Sequence, residues 1–307
     1  MKVEVFLIIL FFQFCFILNS TDENYIVGYF DIDQIYTSKR ILGGAYNAND
    51  VEIFVNGEKI NFSFHYRFPK VGSYIIIYKF KVKILSMNRM FYNCDSLVSL
   101  DLSNFDSSRV NNMDSTFSQS IKLRSINLTN FDASKVTYFG GTFKDCESLI
   151  SLDLSRFDTS SAIDMRNMFQ GLQSMISLDL SHFKTNEVRL MYYMFYNCKN
   201  LQTINLSSFD TRNVVSMRYM FTGCKSLTNL NLKSFDTSNV REMSNMFRNC
   251  QSLKHLDLSN FNVNNVRDMT SMFLGCNSLR LLHFKYNSTN VRCANMFDGC
   301  PAQISNF

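Results

Sequence analysis

From about position 84 onward, the apolar residues fall into one pattern repeated every 26 residues: V-x-x-M-x-x-M-F-x-x-C-x-S-L-x-x-L-D-L-S-x-F-D-x-S. Its Met-Phe pair recurs as Met90-Phe91, Met168-Phe169, Met194-Phe195, Met220-Phe221, Met246-Phe247, Met272-Phe273 and Met296-Phe297, with Thr116-Phe117 and Thr142-Phe143 in the two remaining places. A fixed period of this length is the signature of a solenoid, in which each coil buries its apolar face against the next. Two spacings alternate within each unit. Leu97, Leu100 and Leu102 have the spacing of a short strand and its preceding bend, whereas Val110, Met113, Phe117 and Ser120 lie three to four apart, as on one face of a short helix. Phe105 is followed by Asp106-Ser107-Ser108, where the Asp side chain can bond its own backbone in an Asx-type turn. These spacings predict an α/β solenoid whose coils run strand, turn, short helix, turn. Successive strands would form one parallel sheet at about 4.8 Å spacing. A single unit buries too little to offset the entropy of ordering it, so the pattern demands a stack.

Residues 21–83 follow a different rule. Tyr25–Phe30, Val51–Val55, Phe62–Phe68 and Ser73–Phe80 alternate as strands do, and Asn56-Gly57 is a tight-turn signal between the second and third. The expectation is a small antiparallel, sandwich-like β domain that covers the bare face of the first coil. Residues 1–20 read as a secretory signal peptide: Lys2, then an apolar run from Val5 to Leu18 interrupted by Gln13, then Leu18 and Ser20 before a cleavage point at Thr21. That run is short for a membrane span of about 20 residues, and no second apolar stretch follows. No integral membrane segment is expected in the mature chain. The boundaries are thus 1–20 for the leader, 21–83 for the β domain and 84–307 for the repeats.

Leu97-x-x-Leu100-Asp101-Leu102-Ser103 matches the strand half of a leucine-rich repeat. The longer unit from Ser226 to Cys250 resembles the 26-residue surface-protein repeat of the BspA-like leucine-rich-repeat family. The resemblance covers about 224 of the 307 residues, in about eight near-complete copies and a leading half-copy. It implies a leucine-rich-repeat-like horseshoe that is secreted or displayed on a microbial cell surface, works in adhesion and partner binding, and is not an enzyme. Phe105 and its sisters stand where many leucine-rich repeats carry Asn, so the sequence gives no ground for an Asn ladder there.

The formal net charge of +5 is small for the length and argues against nucleic acid as a partner. The columns of the repeat then judge the candidate chemistry. Cys94, Cys146, Cys198, Cys224, Cys250, Cys276 and Cys300 share a column with Ser120 and Leu172, which marks a small buried slot rather than a metal site. In the shortened last repeat Cys293 replaces Met, making Cys293–Cys300 or Cys276–Cys300 the candidate disulfide. The Met column, from Met87 to Met269, admits Phe139 and reads as core. No metal or cofactor is expected, and no nucleophile elbow, phosphate loop or metalloprotease helix occurs.

The outward strand positions remain. Asp101, Asn127, Asp153, Asp179, Asn205, Asn231, Asp257 and His283 form one exposed column flanked by hydroxyls. A face of this composition suits an extracellular protein or glycan ligand. The candidate contacts on the concave face are Asp153, Asp179, Lys233, His255, Asp257, His283 and Lys285, the last five clustering on adjacent strands. Arg189, Arg241, Arg267 and Arg292 add a basic ridge on the turn side. Glycosylation sequons stand at Asn61, Asn127, Asn205 and Asn287. The resulting expectation is a secreted or extracellular-surface, non-enzymatic interaction protein; the competing one is a structural coat or matrix component that assembles through its solenoid.

Overall fold

The computed structural model describes residues 24–35, 37–286, 289 and 291–305. The leader expected over 1–20 and the sequon at Asn287 lie outside the described residues. The chain is a repeat solenoid built from strands and turns. No helix occurs among the described residues, so none is long and apolar enough to cross a membrane.

Before the repeats come six strands: β1 (Tyr25–Ile32), β2 (Ser38–Arg40), β3 (Val51–Val55), β4 (Glu58–Ile60), β5 (His65–Arg67) and β6 (Gly72–Phe80). Asn56 and Gly57 both take positive φ, 48° and 91°, as a two-residue hairpin turn requires. That turn folds β4 straight back onto β3, with Val55 opposite Glu58 and Ile53 opposite Ile60. The third alternating stretch of the sequence therefore pairs elsewhere, as β5 against β2.

The repeats contribute β7 (Leu97–Asp101), β8 (Ser125–Asn127), β9 (Ser177–Asp179), β10 (Thr203–Asn205), β11 (His255–Asp257), β12 (Leu281–His283) and β13 (Gln303–Ser305). One sheet, in the order β4-β3-β6-β1-β7-β8, crosses from the first segment into the repeats. β1 pairs antiparallel with β7, placing Val27 opposite Asp101 and Tyr29 opposite Ser99. The edge of the first coil is thereby hydrogen-bonded rather than bare. At the same junction the Gly43 N–H donates to the Met90 carbonyl at 2.6 Å, and a Cβ on Gly43 would lie 2.2 Å from the Arg89 carbonyl oxygen. Glycine is required there by close backbone approach.

Two sequence expectations need correction. The strand column is not one sheet: β7–β8, β9–β10 and β11–β12–β13 are parallel groups, and the equivalent positions around Asp153 and Asn231 are not strands. The expected short helix is absent as well. Each coil instead carries two residues in the left-handed region, for example Ser115 (φ 55°) and Gln119 (φ 63°), or Tyr219 (φ 59°) and Gly223 (φ 74°). A right-handed helix cannot pass through such residues. The chain makes consecutive turns, with the Thr116 N–H donating to the Met113 carbonyl at 3.1 Å and the Ser120 N–H to the Phe117 carbonyl at 3.2 Å. The intervening N–H groups cross to the next coil: Met113 to Tyr138, Ser115 to Gly140, Phe117 to Thr142 and Gln119 to Lys144, at 2.7–2.9 Å. Continuity between coils thus lies on the turn side, where parallel bridges link Ser86, Asn112, Tyr138, Asp164, Leu190, Ser216, Glu242, Asp268 and Arg292 in unbroken succession.

The core is a bundle of columns parallel to the solenoid axis. Phe91, Phe117, Phe143, Phe169, Phe195, Phe221, Phe247, Phe273 and Phe297 stack with centroids 5.4–6.1 Å apart. Tyr78 of β6 meets the first of these rings edge-on, and Phe80 does the same for the neighbouring column that starts at Phe105. The Met column is fully buried beside them. A third column is polar. Thr159, Thr185, Thr211 and Thr237 are buried, and each hydroxyl donates to a carbonyl of the following coil at 2.8–2.9 Å.

The cysteine column has a job beyond filling space. The thiols of Cys146, Cys198, Cys224, Cys250 and Cys276 each donate to the carbonyl of the Phe in the preceding coil at 3.0–3.2 Å. Ser120 makes the same bond to Phe91 at 2.7 Å, which explains why serine fits this column. All eight described cysteines are free thiols, Cys293 and Cys300 included. Burial pushes the thiol of Cys146 up, and that of Cys276 to about 12. Reactivity follows the thiolate and its exposure. A water-soluble aromatic disulfide reagent is therefore expected to label only the half-buried Cys293 and Cys300 in the native protein from residue 21 onward, and the other six after denaturation. Rapid native labelling of more than two thiols would contradict the buried column.

Candidate functional site

On the strand face of the last coils, β11 and β12 run parallel, with His255 opposite Leu281 and Asp257 opposite His283. Alternation along each strand turns Leu256 and Leu282 into the core and leaves His255, Asp257 and His283 on the outside. Lys233 joins them from the preceding coil. Together with the exposed Leu281 they line a depression of about 360 Å³. The His283 Nδ1 lies 3.8 Å from an Asp257 carboxylate oxygen. Hydrogen bonds from the Ser259 hydroxyl and backbone N–H hold the Asp257 carboxyl below the usual range, and the charges of His283 and Lys233 add to this. Four of the seven candidate contacts are thus brought together: Lys233, His255, Asp257 and His283. Lys285 is exposed beyond the end of β12 and does not line the depression.

Asp153 and Asp179 lie in earlier coils, away from it. Each accepts the backbone N–H two residues on, from Ser155 and Ser181, at 3.0 Å, and these bonds lower both carboxyls. Asp101, Asn127, Asn205, Asn231 and Asp257 do the same, at 2.9–3.2 Å. The outward Asp/Asn column is therefore a row of Asx turns, which close the strands in those coils that form them. The recurring Asp-x-Ser spacing carried that signal, identical to the one that marks the turn at Asp106. Of the sequons, Asn61, Asn127 and Asn205 have exposed side chains. Asn127 also donates from its amide nitrogen to Asp101 at 3.0 Å.

The turn side carries a second concave surface. Arg189, Asn213, Asn239, Arg241, Asn265 and Arg267 line a groove of about 710 Å³. The Asn213, Asn239 and Asn265 amides each donate to a backbone carbonyl of the preceding coil at 2.7 Å. An asparagine ladder exists after all, one turn beyond the phenylalanine column where it was not expected. The sequence marks it only weakly, because the earlier coils place Arg109, Lys135, Ser161 and Glu187 in that column.

No curated protein matches the chain. Among solved structures, it is similar to a leucine-rich repeat protein from Bacteroides ovatus ATCC 8483, with 17% identity, a TM-score of 0.43, and coverage of 86% of this chain and 69% of that one. Residues 85–206 and 191–307 each match the family described as "Mycoplasma protein of unknown function, DUF285". These two stretches together cover residues 85–307, nearly all of the repeat region, and the chain belongs to that family.

Proposed function

We propose that the protein is a secreted or cell-surface binding protein without enzymatic activity, working in adhesion. About eight 26-residue coils form its recognition surface, and the strands of residues 21–83 cap their first face. The ligand is an extracellular protein or glycan, and it docks on the strand face at the depression of the last coils. The observation that carries this reading is the convergence of Lys233, His255, Asp257 and His283 beside the exposed Leu281. A concave apolar surface with a few polar groups at its rim is what a specific contact needs. The same geometry speaks against hydrolysis. Ser259 is bonded to the Asp257 carboxylate through its N–H at 3.0 Å and through its hydroxyl, rather than to a histidine that could activate it. In the test, the mature chain is applied to an array of extracellular matrix proteins and glycans, and each ligand found is titrated against K233A/H255A/H283A. These three side chains form no part of the Asx turns, so the fold should persist. Truncating central contacts is expected to weaken binding about thirtyfold. Unchanged affinity in the triple variant would remove the depression as the site.

A further inference from the structure

The groove on the turn side gathers three arginines, Arg189, Arg241 and Arg267, along its length. Some arginines of the repeats are paired: Arg166 with Asp114 and Asp164, Arg212 with Asp210, and Arg292 with Asp268. Arg189, Arg241 and Arg267 are exposed and have no carboxylate within ion-pair distance among the described residues. Their backbones nonetheless fix their spacing. The Arg267 N–H donates to the Arg241 carbonyl at 2.9 Å, the Arg241 N–H to Val215 at 3.0 Å, and the Val215 N–H to Arg189 at 3.1 Å. Consecutive rungs of a parallel ladder stand about 4.8 Å apart. Arg241 and Arg267 are thus one rung apart and Arg189 is two rungs further along, above a floor of asparagine amides.

We propose that this groove binds a linear sulfated polysaccharide laid along the solenoid axis, with its sulfates on Arg189, Arg241 and Arg267. The planar guanidinium is suited to bidentate contact with such oxyanions. A pyranose chain with an anion on each residue repeats its charge on the same length scale as the coils. The asparagine and threonine lining offers partners to sugar hydroxyls. Single-stranded nucleic acid is disfavoured, because the groove has no aromatic side chain on which a base could stack.

The experiment is retention and titration on heparin with the mature protein, alongside hyaluronan, dextran and a DNA duplex. The mature chain is expected to bind heparin in a salt-dependent manner, hyaluronan more weakly and dextran not at all. R241Q/R267Q should lower heparin affinity about tenfold, as expected for two exposed charge-assisted contacts. K59Q/K70Q, with the same change in net charge on the segment before the repeats, should lower it less than about twofold. Melting curves of both variants should match that of the parent, since only exposed side chains change. The proposal is overturned if the parent does not bind heparin, if R241Q/R267Q binds like the parent, or if both double variants lose equally. It is likewise overturned if hyaluronan or DNA binds as tightly as heparin.

Discussion

Phe195→Ala is expected to destabilise the protein by about 3–5 kcal/mol, among the largest effects of single side-chain truncations in the repeats. Phe195 is fully buried and stacks on Phe169 at 5.7 Å and on Phe221 at 5.4 Å, nearly parallel to both. Its removal opens a cavity and ends two ring contacts, each contributing about 0.5–1.5 kcal/mol beyond burial. In a solenoid each coil touches only its neighbours, so the damage concentrates at the Phe169–Phe221 interfaces. Urea unfolding followed by circular dichroism should show a lowered midpoint and a transition split in two. Hydrogen exchange should locate the lost protection in the coils around Phe195. Phe297→Ala supplies the control. It ends the column, is half-buried and stacks with one column neighbour at 5.5 Å, so its cost should be clearly smaller. Equal costs for the two variants would mean that the ring stack is not the axis of the fold.

That column was legible because the repeat printed it nine times, and a residue in register with itself must stack. The turn side was legible only in part. Apolar residues three to four apart fit a helix and a run of tight turns equally well. What separates the two is the residue before the Cys column: apart from Gln119, its members Asn93, Asp145, Gly171, Asn197, Gly223, Asn249, Gly275 and Gly299 are residues that tolerate positive φ. Placed in mid-helix they would be misfits, and their recurrence was the available signal. The other left-handed column gives no such warning. It contains Arg89, Tyr193 and Tyr219, whose backbones are held there by hydrogen bonds to the next coil, from Tyr193 to Arg218 and from Tyr219 to Ser244 at 3.0 Å. Tertiary contacts override local preference at those positions.

The candidate site divides along similar lines. Asp257 and His283 share a column in adjacent coils, so the period alone placed them side by side, and Lys233 and His255 followed from their offsets. Asp153 and Asp179 were singled out by the same column, yet their charge is engaged by the N–H of Ser155 and Ser181. An outward position tells which way a side chain points, not whether a local turn already uses it.

The buried threonines make the second large effect. Thr185→Val is expected to cost about 2–4 kcal/mol, although the two side chains have nearly the same shape. The Thr185 hydroxyl donates to the Asp210 carbonyl at 2.9 Å and accepts the Asp210 N–H at 2.8 Å, in a site where Thr185 is 1% exposed. Valine would leave both backbone groups without a partner, and such groups cost about 1–3 kcal/mol each when cut off from water. Thr185→Ser keeps the hydroxyl and gives up one methyl, so its loss should stay near 1 kcal/mol. The chain contains the comparison already: Ser107 occupies this column and accepts the Asp132 N–H at 2.7 Å. Ala133 occupies it too, buried and without a hydroxyl to offer the backbone of Asp158. Ala133→Ser should therefore stabilise the protein, by about 1 kcal/mol, by adding the bond that this coil lacks. Urea midpoints of the three variants decide the matter. If valine is tolerated as well as serine at position 185, hydroxyl bridging between coils contributes nothing, and the threonines merely fill space.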